Sequence, residues 1–211
     1  MQAKIVSALK EVLDSSKKRN FKESIELAVN LKDIDLSNPK NRIDIDVTLP
    51  KGRGKPVKVG VFASGELALR AKNNADIVIM PEELDKLAED KKKAKAFAEH
   101  YDFFIADASL MASIGKKLGV VLGPRGKMPK PISPLADPTP IITNLKSTVR
   151  VRSKEGKTFH VPIGVREMSI EDLAENIESV TKKLEARLEK GMHNIQSIYV
   201  KSTMGKSVRI V

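Results

Sequence analysis

Ser202-Thr203-Met204-Gly205-Lys206 stands near the end of the 211-residue chain, between two apolar runs. Ile195, Ile198, Tyr199 and Val200 before it read as a strand, and Val208, Ile210 and Val211 after it read as another. Glycine bares the backbone of this step, Thr203 supplies a hydroxyl that both donates and accepts, and Met204 is a flexible apolar knob. Such a step serves as an ordinary hairpin turn, and equally as a surface on which a partner's backbone docks. The fold turns on one expectation: the first third of the chain packs against this tail.

The start of the chain has the periodicity to do so. Ile5, Val6, Leu9, Val12 and Leu13 mark one face of a helix over residues 3–18, with Lys17, Lys18 and Arg19 in its last turn. After Phe21 the period becomes two. Ile25, Leu27, Val29 and Leu31 form one half-buried strand. Residues 33–40 connect it to a second, in which Ile43, Ile45, Val47 and Leu49 alternate with Arg42, Asp44, Asp46 and Thr48. Asp44 and Asp46 there read as a solvated face. The same alternation returns late in the chain, where Val149 and Val151 are expected to pair with Phe159 and Val161 across a turn at 153–157. Ser169 then caps a helix over 170–190 whose inward stripe is Leu173, Ile177, Val180 and Leu184.

The middle differs. Pro50-Lys51-Gly52-Arg53-Gly54-Lys55-Pro56 breaks the pattern and reads as a linker or hinge. Beyond it, continuous apolar strands at 57–62, 76–80 and 103–106 alternate with helices at 65–72, 82–100 and 110–117, the pattern of a parallel three-layer domain. From Lys116 to Lys130 there are five basic residues and no acid. Residues 129–140 hold five of the 11 prolines and are expected to be irregular. The architecture expected is mixed α+β and α/β. A split α+β domain from residues 1–54 and 148–211 carries an inserted three-layer βαβ, Rossmann-like domain over 55–147.

Net charge is +11 with a pI near 9.7, which favours a polyanionic partner, nucleic acid before an acidic membrane surface. The excess is spread evenly: residues 1–54 carry 11 basic against 8 acidic side chains, 55–147 carry 15 against 11, and 148–211 carry 12 against 8. Binding must therefore be organised by folded faces and not by a basic tail. Aromatics make up only 4% and Trp is absent, which disfavours a base-stacking single-strand binder and suits duplex or folded RNA read through backbone and shape. Cysteine is absent, so disulfides and thiolate metal sites are excluded, and a cytoplasmic location without a membrane partner is expected.

A catalytic set is not found. His100, His160 and His193 lie far apart without a carboxylate pattern, so no enzyme activity, cofactor or metal is expected. The alternative is a nucleotide-binding enzyme using the Gly123–Gly126 turn. Its lysine is followed by Met128 where a P-loop needs Ser or Thr, and its spacing is too short.

Three stretches carry a resemblance. They are Gly119-Val120-Val121-Leu122-Gly123-Pro124-Arg125-Gly126-Lys127-Met128-Pro129, His160-Val161-Pro162-Ile163-Gly164, and Tyr199-Val200-Lys201-Ser202-Thr203-Met204-Gly205. In this order the chain resembles, over essentially its whole length, the archaeal form of the large-subunit ribosomal protein L-one family, found on the mobile stalk beside the tRNA exit site. The resemblance implies the split fold with both termini in one domain. It implies binding of 23S rRNA at the stalk, help in releasing deacylated tRNA from the exit site, and translational repression through binding the leader or coding region of its own mRNA, as a monomer when free. Carried over, the rRNA and mRNA site falls on Phe21, Lys22, Ser24, Ser202, Thr203, Met204 and Gly205. Asn20 stands where bacterial members have Lys, so Lys22 or Arg19 takes that phosphate contact. Arg152 and Lys154 are further phosphate contacts, and Lys116, Lys117, Arg125 and Lys127, on a basic loop, are the expected tRNA contacts. The middle domain is expected to swing about Gly52 and Gly54 on one side and Ser147 on the other.

Overall fold

The computed structural model describes residues 2–17 and 19–211; Lys18, expected in the first helix, lies outside the described residues. In chain order the elements are α1 (Gln2–Ser15), β1 (Ser24–Leu31), β2 (Asp44–Thr48), β3 (Val59–Phe62), α2 (Gly65–Ala71), β4 (Ile77–Ile79), α3 (Pro81–Glu89) and α4 (Lys91–His100). There follow β5 (Phe103–Asp107), α5 (Met111–Arg125), β6 (Lys130–Ile132), α6 (Thr139–Lys146), β7 (Thr148–Arg152), β8 (Thr158–Val165), α7 (Ile170–Arg187), β9 (Ile195–Ser202) and β10 (Ser207–Arg209). The protein is a mixed α/β structure. It divides into two compact units, one of Met1–Lys55 with Ser147–Val211 and one of Pro56–Lys146.

In the first unit an antiparallel sheet runs β10-β9-β1-β8, so the strand from the start of the chain lies between two from its end. Period-two alternation puts Ile25, Leu27 and Val29 of β1 on one face with Val161 of β8 and Ile198 and Val200 of β9. Onto that face pack Ile5, Leu9 and Val12 of α1 and Leu173, Ile177, Val180 and Leu184 of α7, in one core. The Ser169 hydroxyl accepts from Asp172 N at 3.1 Å and starts α7 as expected of a cap.

The expected hairpin of residues 149–161 does not form. β7 pairs instead with β2 in a separate ribbon, Val149 facing Val47 and Val151 facing Ile45, while β8 joins β1 with Phe159 facing Val29 and Val161 facing Leu27. Alternation fixes which face a residue takes and says nothing about which strand lies alongside. Ser153 decides the partner: its N–H donates to Ile43 O at 2.9 Å and its hydroxyl accepts from Ile43 N at 3.0 Å, extending the ribbon to β2.

The glycines of the 50–56 segment are held and not free. Asn176, fully buried on α7, accepts from Lys51 N at 3.2 Å and donates to Gly52 O at 3.0 Å and Ile163 O at 2.8 Å. Lys51 adds ion pairs to Asp172 and Glu175 at 3.4 and 3.6 Å. A Cβ on Gly54 would meet Val165 Cγ2 at 2.6 Å and Met168 Sδ at 2.9 Å, so this glycine serves close packing on the first unit.

In the second unit a parallel sheet runs β4-β3-β5-β6 with helices on both faces. Val59 and Val61 bury toward Leu67, Ala71, Ile142 and Leu145, while Phe62 and Phe104 bury toward Leu84, Ala98, Ile114 and Leu118. Three sequence readings need correction here. The helix expected over 82–100 is two, because the Asp90 carboxylate accepts from Lys92 N at 2.8 Å and Lys93 N at 3.3 Å and starts α4 anew. The proline-rich passage contains β6 and the start of α6.

Third, the glycine-rich basic run is no loop. α5 continues to Arg125, with Ile114, Leu118, Val121 and Leu122 as its buried stripe. Pro124 sits in its last turn, and Gly126, at φ +69°, ends it in the left-handed conformation.

Candidate nucleic-acid interface

The chain leaves α1 at Ser15 and enters β1 at Ser24, so Arg19, Phe21, Lys22 and Glu23 form a short arm past the helix end. β9 ends beside that arm, with Ile25 paired to Ser202. One step further on, Thr203 N donates to Ser24 O at 2.9 Å, as a ladder would continue. Ser24 N, however, donates to the Thr203 hydroxyl at 3.0 Å, and that hydroxyl lies 3.1 Å from Ser24 O. The side chain thus replaces a carbonyl that has turned away. The threonine hydroxyl expected to be offered to a partner is used to pin the two ends of the chain together.

Residues 202–205 form a four-residue turn closed by Gly205 N donating to Ser202 O at 2.9 Å. Its third residue, Met204, has φ +60°, a place that turns of this kind normally give to Gly or Asn. The left-handed conformation costs a side-chain-bearing residue about 1–2 kcal/mol. Met204 is 76% exposed and Phe21 is 48% exposed, so Phe21 belongs to the surface and not to the core. Ser202 differs from its neighbours: it is fully buried, and its hydroxyl makes no hydrogen bond among the described residues. It lies under the turn, where a Cβ on Gly205 would come within 2.2 Å of Ser202 Oγ. Gly205 is there to let the turn close over Ser202.

Cations surround this turn. Lys22 is exposed, with Glu167 3.7 Å away. Lys55 Nζ donates to Ser24 Oγ at 2.7 Å. Arg19 turns its guanidinium onto the turn itself, Nη1 donating to Thr203 O and Nη2 to Met204 O, each at 3.2 Å. Under it lies the Glu23 carboxylate, 1% exposed, 3.3 Å from Arg19 and 3.3 Å from Arg166. Arg166 in turn donates to the carbonyls of Leu13, Ser16 and Lys17 at the end of α1.

Sequence reasoning missed Glu23, Lys55 and Arg166. The i,i+4 spacing of Arg19 and Glu23 is visible in the sequence, but the burial of Glu23 is not.

Arg152 and Lys154 are not brought to this cluster. Ser24 pairs with Val165 at one end of β8 and Asn30 with Thr158 at the other, so the 153–157 turn lies about 20 Å along the strands from Ser24. Lys154 is exposed at φ +51°. Arg152 lies 3.7 Å from Asp44, whose carboxylate takes two hydrogen bonds from Arg150 at 2.6 and 2.7 Å. Those bonds, with the charges of Arg150 and Arg152, hold the Asp44 pKa below the usual aspartate value against its partial burial.

The cations of the second unit are differently employed. Lys117 pairs with Asp85 of α3, and Arg125 pairs with Glu99 of α4 at 2.9 Å. Lys127 Nζ donates to Ala98 O at 2.8 Å and Tyr101 O at 2.7 Å, closing the end of α4. Lys116 is exposed. The Gly123–Gly126 run is a helix C-terminus, whose carbonyls and negative dipole end repel phosphate, so it does not make the nucleotide cradle considered from the sequence.

Residues 12–206 match the sequence profile described as the Ribosomal protein L1p/L10e family. The chain belongs to the ribosomal protein L1p/L10e family. Its relatives include proteins called large ribosomal subunit protein uL1 in three archaea. That of Picrophilus torridus is 54% identical, covering 96% of this chain and 94% of the relative. That of Methanocella arvoryzae is 54% identical over 98% and 97%, and that of Archaeoglobus fulgidus 52% over 99% and 97%. The family's archaeal L-one resemblance read from the three motifs is thereby established.

Proposed function

We propose that the chain is a constituent of the large ribosomal subunit that binds 23S rRNA at the mobile stalk through its first unit. The observation that carries this reading is the turn at 202–205. It presents Met204 in a strained outward conformation, flanked by exposed Phe21 and by Lys22 and Lys55, on a platform fixed by Thr203 and Ser24. Fixed, backbone-exposing elements suit recognition of folded RNA by shape and 2′-hydroxyls, while lysines set position and affinity on phosphates. The names of the relatives support the ribosomal assignment, and with it residence in the cytoplasmic ribosome and a role that is structural and not enzymatic.

The same surface serves the protein's own mRNA, which presents a similar RNA shape, so that excess protein represses its own translation as a free monomer. The second unit reaches exit-site tRNA and assists its release. Of its four expected tRNA contacts, Lys116 keeps an exposed side chain, and Lys117, Arg125 and Lys127 act first within the unit.

Filter binding of a stalk-base rRNA fragment tests the reading. Specific binding by the wild type with a log K against log salt slope of roughly −3.5 to −4.5, for about five neutralised phosphates, supports it. Affinity equal for the fragment and a scrambled hairpin, or loss of no affinity in Thr203→Ala, refutes it.

A further inference from the structure

We infer that Glu23 and Arg19 are positioning residues for the RNA-binding turn, with Arg19 spent on the protein's own backbone and not on an RNA phosphate. This rests on the rRNA-binding reading of the same turn and deepens it. Arg19 bridges two consecutive carbonyls, those of Thr203 and Met204, at 3.2 Å each. These are the carbonyls that the turn directs away from the sheet, and a planar guanidinium is the side chain whose two parallel donors match them. Two donated bonds hold Met204 in its φ +60° conformation before any partner arrives.

Glu23 holds the guanidinium in place. A carboxylate that is 1% exposed is costly to bury unless compensated, and its compensation is two arginines at 3.3 Å. One oxygen is bonded by Arg166; the other lies 3.3 Å from Arg19 Nη1 without hydrogen-bond alignment, because that nitrogen already points at Thr203 O. Arg166 also takes the carbonyls of Leu13, Ser16 and Lys17. Glu23 therefore ties the end of α1, the start of β1 and the binding turn into one assembly. Preorganisation of this kind raises affinity by lowering the ordering cost of binding.

The sign of the effect separates positioning from simple electrostatics. Glu23→Gln removes a negative charge near the RNA surface, so a purely electrostatic role gives tighter binding. Positioning gives weaker binding of the stalk-base fragment, about tenfold. Arg19→Lys keeps the charge but cannot bridge both carbonyls, and loses a similar factor. Arg19→Gln leaves the salt slope unchanged, whereas Lys22→Gln, at a phosphate, reduces it by about 0.7 to 0.9.

Unchanged or tighter binding by Glu23→Gln, or a loss of slope in Arg19→Gln equal to that in Lys22→Gln, overturns the inference. Should Glu23→Gln fail to fold by circular dichroism, Arg19→Lys decides alone. Amide hydrogen exchange in the free full chain gives a readout without RNA. Faster exchange at Thr203 and Gly205 in Arg19→Lys supports the clasp, and unchanged exchange overturns it. If the wild type itself fails to prefer the stalk fragment, the functional reading falls, and the exchange experiment still decides the clasp.

Discussion

Two sets of basic residues, one drawn from distant parts of the chain and one from a single stretch, are employed differently in this molecule. Around the 202–205 turn, Arg19 and Arg166 converge on a buried carboxylate and on backbone carbonyls, leaving Lys22 exposed and Lys55 beside Ser24. Along α5 and just past its end, Lys117 and Arg125 pair with acids of α3 and α4 and Lys127 bonds carbonyls at the end of α4, stitching three helices together. A positive charge in a sequence is therefore only a candidate contact, because the fold can commit the side chain elsewhere, as it does for Arg19, Arg125 and Lys127. In both regions, arginines are given fixed geometric tasks.

The comparison breaks most readily at Gly205. Gly205→Ala places a methyl 2.2 Å from Ser202 Oγ and must displace either that buried side chain or the turn above it. The expected loss of affinity for the stalk fragment is on the order of 100-fold, the scale of disrupting a network worth more than one bond. Combining it with Ser202→Ala, which removes that oxygen and leaves the next contacts at 3.3 and 3.4 Å, recovers part of the loss in filter binding. No recovery would mean that Gly205 acts by contact with RNA and not by closing the turn.

Thr203→Val, which keeps shape and removes the hydroxyl, strands Ser24 N at the start of the central strand β1. It is expected to cost about 1–3 kcal/mol in denaturant unfolding and to weaken RNA binding alongside. Lys127→Ala is the counterpart in the second unit. It removes two bonds to the end of α4 and is expected to destabilise that unit by about 1–2 kcal/mol, with the affinity for the stalk fragment unchanged. A tenfold loss of that affinity would erase the distinction between the two regions.

The smallest effect expected is a pH effect at the ribbon of β2 and β7. Asp44 has a folded pKa below its ordinary value, so its pairing stabilises above that value and the stability is lost as pH falls through the lower folded pKa. Because the side chain is 39% exposed, solvent screening limits the contribution to less than about 1 kcal/mol. Asp44→Asn should flatten the acid limb of the stability profile by that much, read from denaturant midpoints below pH 4.

Much of the fold was legible because local pattern and burial agree. Alternating strands such as β1 and continuous ones such as β5 announced two kinds of sheet, one with a solvated face and one covered on both. Partner choice was not legible: Val149 and Val151 have the same alternation whether they face Phe159 or, as they do, Val47 and Ile45. The full length of α5 is masked in the sequence because Gly115, Gly119, Gly123 and Pro124 argue against a helix whose stripe is present at Ile114, Leu118, Val121 and Leu122. At the candidate site, the motif around Thr203 was readable as a motif, but the inward use of its hydroxyl and the burial of Ser202 and Glu23 depend on contacts over 140 residues away in sequence. No local pattern encodes them.

The proposal on which these predictions rest is that the two ends of the chain together form the RNA-binding body. It is tested most directly by replacing residues 56–146 with a short linker and measuring the Kd for the stalk-base rRNA fragment beside that of the intact chain at one stated salt concentration. The two values are expected to agree within about threefold, since the proposed phosphate and turn contacts all lie outside the removed segment. Loss of specific binding by the shortened chain, with tight binding retained by residues 56–146 alone, would contradict it.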